Sequence, residues 1–525
     1  MKISRLTLAV AAILGTGAAS TAYAIDLYVD SKTKQIYAEP GPGRMLMGSF
    51  EQVQPNTNGY SKHDAHHSGT DQTSDRADID AIKHEMELEK NEIKALEEHV
   101  VAQREERAKN DEKWFNKINV RGYTQLRYNQ PLTGDRVAEA GEVPELRSPG
   151  DGGIKNNSSF SFRRVRLVFS GDVNDYVSLY LQPDFASSVD SSIDNGNFAQ
   201  LRDAYADLAF DKKHEYRIRA GQSKVPFGWE NLQSSQNRLA LDRNDALNSA
   251  VPSERDLGLF AYWSPEHVQK LWKDLSKKGL KTSGDYGILG LGIYNGQGIN
   301  RNETNDDLYV VAHSSYPIDL GSFIGYPFTG QVLEVGADYM NGNFDVPTAD
   351  TRVFGTDRQL RKDGDDCDGV DNCAEIDNPG GFREERYAVH AVLFPQPFGV
   401  QAEWNWGRAA TLNPDTASLQ RENLQGGYVQ AMYKIDKVFR DDGTLIPYVK
   451  WQTYRGAYKA AANSPRVSVD ELEVGVEYQI MKALELTLAY STMDRTNVRS
   501  STSSSSSFLG QASGDMLRAQ VQWNY

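Results

Sequence analysis

Leu517-Arg518-Ala519-Gln520-Val521-Gln522-Trp523-Asn524-Tyr525 alternates without a fault: Leu517, Ala519, Val521, Trp523 and Tyr525 share one side of an extended chain, and Arg518, Gln520, Gln522 and Asn524 the other. A period of two belongs to a strand, whose successive side chains point to opposite faces. The same stripe recurs upstream. Leu484, Leu486, Leu488 and Tyr490 stand against Glu485 and Thr487, and Leu472, Val474, Val476 and Tyr478 against Glu473 and Glu477. Val400, Ala402, Trp404 and Trp406 stand against Gln401, Glu403 and Asn405, and Leu333, Val335, Ala337 and Tyr339 against Glu334 and Asp338. A soluble sandwich would need a turn every ~8–12 residues. These strands are longer and end their apolar faces in aromatics, as a bilayer-facing band requires.

Such segments predict sixteen strands between residues 117 and 525. Short links, as at 171–174, 211–214, 394–398 and 480–482, alternate with long polar ones at 131–158, 223–254, 344–383 and 494–513. An even strand number with short turns on one side and long loops on the other gives an all-β fold, a 16-stranded antiparallel transmembrane β-barrel with both termini in the periplasm. Residues 265–284 and 315–329 break the pattern, being long where short turns are expected.

Composition limits the alternatives. The mean hydropathy is -0.58, and after residue 24 no segment approaches ~18 continuous apolar residues, so helical membrane spans are excluded. With 57 basic against 72 acidic side chains and a net charge of -15, nucleic acid is not an expected partner. There is no Gly-x-Ser-x-Gly elbow and no His-Glu-x-x-His, and none of the barrel histidines His214, His267, His313 and His390 stands beside a plausible nucleophile, so no enzyme is expected.

The N-terminal quarter reads differently. Lys2 and Arg5, the apolar run Leu6 to Leu14 and the small-x-small ending Ala22-Tyr23-Ala24 predict a signal peptide over 1–24 and export to the outer membrane. Residues 25–75 read as a periplasmic hairpin and a polar linker, in which His63, His66 and His67 lie among solvated residues. Over 76–113 the period becomes seven. Ile79, Met86, Ile93 and Val100 share one heptad position and Ile82, Glu89, Leu96 and Gln103 the other, predicting a coiled-coil helix. Isoleucine on both seams favours three strands, hence a homotrimer clamped in the periplasm, where peptidoglycan or another periplasmic component is the other candidate partner of the coil. An amphipathic helix lying on its own domain is the alternative.

Parity also assigns the bore. If Ile118, Val120, Leu126 and Tyr128 face lipid, then Arg121 and Arg127 face inward with Tyr123 and Gln125; Val165, Leu167 and Phe169 turn Arg164 and Arg166 inward, and Tyr216, Ile218 and Ala220 do so for Arg217 and Arg219. A ladder of guanidinium groups in a narrow, low-dielectric pore favours anions, and the planar fork matches phosphate oxygens. Glu334, Asp338, Glu403, Glu473, Glu477 and Glu485 fall on the inner face of the other wall, giving either a transverse field or cross-lumen pairs. The loop from Ser223 to Glu254 carries Lys224, Arg238 and Arg243; folded into the barrel it would set the narrowest radius.

Phe162-Arg163-Arg164-Val165-Arg166-Leu167, Leu201-Arg202-Asp203-Ala204-Tyr205, and Ile218-Arg219-Ala220-Gly221-Gln222-Ser223-Lys224-Val225-Pro226-Phe227-Gly228 resemble the phosphate-selective porin O and P family. So do Arg243-Asn244-Asp245 and Glu254-Arg255-Asp256-Leu257-Gly258, and the likeness runs over about 400 residues to the C-terminus. It implies a trimeric outer-membrane channel with an arginine-lined path and an inward third loop. The chain departs in its acidity, its lumen carboxylates and its N-terminal coil.

One external loop has chemistry of its own. Cys367 and Cys373, in an oxidising compartment, predict a local disulfide. Asp366, Asp368 and Asp371 around Gly369 resemble a single thrombospondin type 3 repeat and make Ca2+ the one candidate metal; no other cofactor is expected. The expected function is a passive outer-membrane porin for small anions, inorganic phosphate or polyphosphate foremost, embedded in outer-membrane lipid. The alternative is a structural tether or adhesive barrel with a plugged lumen.

Overall fold

The computed structural model describes residues 25–30, 36–37, 44–50, 74–111, 113–133, 146, 154, 158–186, 199–348, 351–352, 359–361, 367, 373–376, 381–413, 416, 418–459, 461, 463–498 and 509–525. The chain divides into two units, Met1–Glu97 and Glu98–Tyr525. The signal peptide, the histidines of the linker and Asp366, Asp368 and Asp371 lie outside the described residues. Cys367 and Cys373 are bonded to each other.

In the first unit Ile25–Asp30 is the middle strand of a small antiparallel sheet, flanked by Ile36–Tyr37 and Arg44–Phe50. Helix α1, Ser74–Asp111, is 38 residues long. Glu, Lys and Ala favour the helix throughout. Ile82, Met86, Ile93, Leu96 and Val100 are all exposed on the single chain.

The second unit is a closed antiparallel barrel of sixteen strands. In chain order they are β1 Asn119–Pro131, β2 Ser159–Asp172, β3 Val177–Asp184, β4 Gln200–Ala209, β5 Tyr216–Lys224, β6 Arg255–Trp263, β7 Leu289–Tyr294 and β8 Tyr309–Asp319. There follow β9 Val332–Phe344, β10 Phe382–Leu393, β11 Phe398–Asn413, β12 Ser418–Tyr433 with its continuation Ile435–Asp436, β13 Thr444–Ala457, β14 Arg466–Met481, β15 Leu484–Val498 and β16 Leu509–Asn524. The seam closes where Ala519 of β16 lies opposite Tyr128 of β1 and Val521 opposite Leu126.

Alternation decides which face is which. Phe160, Phe162, Leu289, Leu291, Val474, Leu486 and Leu488 are exposed on the outer surface, while Arg127, Arg386, Arg495 and Arg518 are buried inside. An Arg turned to lipid at the bilayer midplane costs ~2–4 kcal/mol, so a one-residue slip of any of these strands is heavily disfavoured. Aromatics ring both ends. Tyr216 stacks on Trp263 at the short-link end, and Tyr339, Tyr387 and Trp406 form a row toward the long loops.

The two anomalous links keep the strand count and hold extra structure instead. Between β6 and β7 lies helix α2, Glu266–Lys277. Between β8 and β9 the turn Leu320–Phe323 is capped by Asp319, whose carboxylate accepts from the Gly321 and Ser322 amides. The β11–β12 hairpin runs further than its sequence implied, with Asn413 paired to Ser418.

Candidate permeation path

The segment from Val225 to Glu254 connects β5 to β6 and turns into the barrel. All but a few of its residues are buried. One side is apolar: Val225, Phe227, Leu247, Ala250 and Val251 pack with Phe260, Tyr262, Tyr294, Tyr309, Val311, Met340 and Ala388 of β6 to β10. Gly228, at φ +82, makes the first bend there; a Cβ would come within 2.3 Å of the Leu247 side chain.

Its polar groups are taken up by the wall. The Gly228 amide donates to Asp338 (3.0 Å), that of Glu230 to Glu403 (3.0 Å), that of Leu241 to Glu473 (3.3 Å) and that of Asp245 to Gln452 (3.0 Å). The Trp229 indole donates to Glu334 at 3.1 Å. Four of the carboxylates expected on the inner face, Glu334, Asp338, Glu403 and Glu473, are therefore acceptors that hold the loop, because buried amides without partners would each cost ~1–3 kcal/mol. Charges complete the anchorage: Lys450 meets Glu230 at 2.5 Å, and Arg127 and Arg518 meet Asp242 at 3.1 and 2.5 Å. Burial alone would raise the Asp242 carboxyl; Arg518, Arg127 and Arg163 outweigh it and hold it well below the usual carboxylate range.

This divides the bore unequally. Beside β6 to β12 it is filled by packed side chains, and the arginines gather on the other side, from β1 to β6 with β14 to β16. Most of them are matched. Arg166 pairs with Asp184 at 2.7 Å and donates to the Tyr123 hydroxyl at 2.8 Å. Arg219 holds Asp207 through two nitrogens, at 2.7 and 2.8 Å, and lies 3.8 Å over the Tyr205 ring. Arg217 grips Asp285 and Arg255 grips Asp203, each at 2.9 Å. Arg238 pairs with Glu254 at 2.8 Å, while Arg243 donates twice to Asn248 and lies 3.7 Å from Glu254. Burial would raise the Glu254 carboxyl, but Arg255, Arg238, Arg243 and Lys224 keep it well below its ordinary range.

Two predicted residues stand apart. Arg121 is exposed at the short-link end of β1, on the inward side. Arg164 is buried, donates to the Gln125 amide oxygen at 2.7 Å, and has no carboxylate in ion-pair range among the described residues. The charges around it are Arg163, Arg166 and Arg238, and its Nε has no partner.

Lys224 requires a correction. Expected to line the pore, its ammonium instead donates to the carbonyls of Asn231, Leu232 and Gln233 at 2.9, 3.2 and 2.6 Å. It closes the C-terminal end of the turn Trp229–Leu232, where free carbonyls draw a cation.

Other inward residues escaped the parity reading. Opposite β2 the register jumps: Gln125 pairs with Arg164 but Leu126 with Phe162. Arg163 is the extra residue of a β-bulge, and its charge acts on Asp242 and Arg164 within the bore. The register jump has no sequence signal beyond two successive arginines, which strict alternation would send to opposite faces. Arg255, Arg386, Arg495 and Arg518 do stand on polar stripes that the sequence shows.

A family model described as phosphate-selective porin O and P matches residues 143–525. No curated protein matches the chain. Among solved structures, the outer-membrane channel DcaP of Acinetobacter baumannii is 14% identical over 78% of this chain and 97% of that one, with a TM-score of 0.42. OmpF of Salmonella typhi in complex with daunomycin is 15% identical over 78% and 98%, with a TM-score of 0.44. An anion-selective porin from Comamonas acidovorans is 7% identical over 78% and 99%, at 0.40.

Proposed function

We propose that this chain, which belongs to the phosphate-selective porin O and P family, is a passive channel for small anions, with inorganic phosphate or a longer phosphate chain as the preferred solute. That it is an outer-membrane channel follows from the family and the barrel. The anion reading rests on Arg164. A guanidinium keeps its charge, and a buried one with other guanidinium groups around it and no carboxylate in ion-pair range among the described residues has an electrostatic demand that a passing oxyanion meets. Its neighbours Arg163, Arg166 and Arg238 add to the local potential, so that an anion there is stabilised from several sides.

Two further parts belong to the same reading. The uncovered stripe Ile82, Met86, Ile93, Leu96 and Val100 of α1 supports a homotrimer joined through a coil on the periplasmic side. The acidic loop around the Cys367–Cys373 bridge remains the candidate Ca2+ site.

Purified protein in planar bilayers tests the proposal. Stepwise conductance, an anion-biased reversal potential in a salt gradient, and block of chloride current by added phosphate are expected; cation bias would refute it. The filling of the bore beside β6 to β12 by residues 225–254 favours one second reading, a plugged barrel serving as a tether, which predicts silent insertion.

A further inference from the structure

The link between β6 and β7 is on the opposite end of the barrel from the loop at 225–254, yet it too enters the bore. Val268, Trp272 and Leu275 of α2, and Leu280 just beyond it, are buried against Val332, Val392 and Phe394 of the wall and against Trp229 of the opposing loop. Glu334 joins the two intrusions: one carboxylate oxygen accepts from Trp229 at 3.1 Å, the other from Trp272 at 3.2 Å. Gln233 adds a bond to the Lys281 carbonyl at 2.9 Å.

After α2 the chain crosses the opening. The Lys281 ammonium lies 2.7 Å from Glu477 of β14 and 3.4 Å from Glu485 of β15. Those strands are eight places round the sixteen-stranded ring from β6 and β7, on the far side of the bore. A link anchored at one wall by β6 and β7 and at the opposite wall by an ion pair is a bar across the lumen. Arg217 fixes its near end by holding Asp285, which also accepts from Ser264 at 2.5 Å.

We propose that residues 264–288 form an inner selectivity barrier, a bar across the periplasmic end of the channel in which Lys281 is the charge that permeating ions pass. It is a barrier separate from the loop at 225–254 and set in series with it. Two obstacles in series must both be passed, so ion preference depends on the charge at each. The inference rests on the channel reading above.

The test uses Lys281→Cys in the otherwise native protein, whose own cysteines are bonded to each other. Reversal potential is measured in planar bilayers before and after a cationic or an anionic methanethiosulfonate reagent. Lys281→Cys is expected to reduce anion preference. The cationic adduct should restore it toward the native value and the anionic adduct should lower it further, while Lys281→Arg should behave as native. A change of fold alone would not follow the sign of the reagent. A thiol that does not react with the channel open, or identical reversal potentials in all states, would overturn the bar as an ion barrier. Native protein that never conducts would instead remove the channel reading itself.

Discussion

The side of the bore lined by β6 to β12 and the side lined by β1 to β5 solve different problems with the same strand pleat. On the first, inward positions carry Phe260, Tyr262, Tyr294, Tyr309, Val311 and Met340, and the loop at 225–254 packs onto them as a second layer would in a soluble domain. On the other, inward positions carry guanidinium groups held by carboxylates and tyrosine hydroxyls. The barrel thus positions its candidate filter as a small folded core does, by apolar burial from behind, and gathers most of its guanidinium groups on the other wall.

The largest effect is expected from the packed side. Phe227→Ala should cost ~3–5 kcal/mol of local stability, as truncation of a buried aromatic does. Trypsin would then cut near Arg238 or Arg243, sites buried in the native protein; resistance equal to native would show that packing does not hold the loop. A comparable loss, ~3–5 kcal/mol, is expected for Asp242→Asn, which leaves Arg127 and Arg518 without their shared carboxylate; urea unfolding in detergent measures it.

The charged side divides further. Arg166→Gln strands Asp184 and should destabilise by ~3 kcal/mol or more. Arg164→Gln strands no carboxylate among the described residues, so the urea midpoint should not fall, while the reversal potential moves toward cations. Equal loss of stability in both variants would mean that Arg164 has a structural counter-ion after all.

Acid should act late. The Glu254 carboxyl titrates well below its ordinary range, so its contribution is complete above that range and is lost only as pH falls through the depressed value. The difference in stability between the native protein and Glu254→Gln should therefore hold steady from neutrality to about pH 5 and shrink below it. A transition near neutral pH that Glu254→Gln abolishes would contradict the assignment. The smallest effect is expected outside the bore, where Lys212 and Asp175 pair at 2.8 Å in full solvent; Lys212→Ala should leave both stability and conductance as they are.

The strands were legible because lipid and water select side chains at every second position over more than ten residues, as from Leu484 to Tyr490. The inward placement of the loop at 225–254 was implied by the family resemblance, not by its own residues. Its Asn, Ser, Gln and Asp residues alone are compatible with a surface position, and their burial is explained by partners distant in the chain: Lys450 donates to Glu230, and Glu473 accepts from the Leu241 amide. For the same reason the acidic stripes suggested a transverse field or cross-lumen pairs rather than anchor points for a loop. Lys224 was misread because a cation in a polar loop gives no sign of the carbonyls that fold back onto it. The inward direction of Arg164, Arg217 and Arg219 followed from parity; the carboxylates that neutralise the latter two required the fold.

The bulge in β2 bears on what a shorter chain could do. Without Arg163, Phe162 would still face Leu126, Arg164 would still face Gln125, and every side chain from Ser159 to Phe169 would keep its side. The hydrogen-bonded lattice can spare that residue. A single-codon deletion there should assemble normally and forfeit one positive charge at the bore, whereas removing one residue from the middle of β15 would throw half a strand out of phase. Arg163 is thus a passenger of the sheet, and its reason for being there has to be sought in the water.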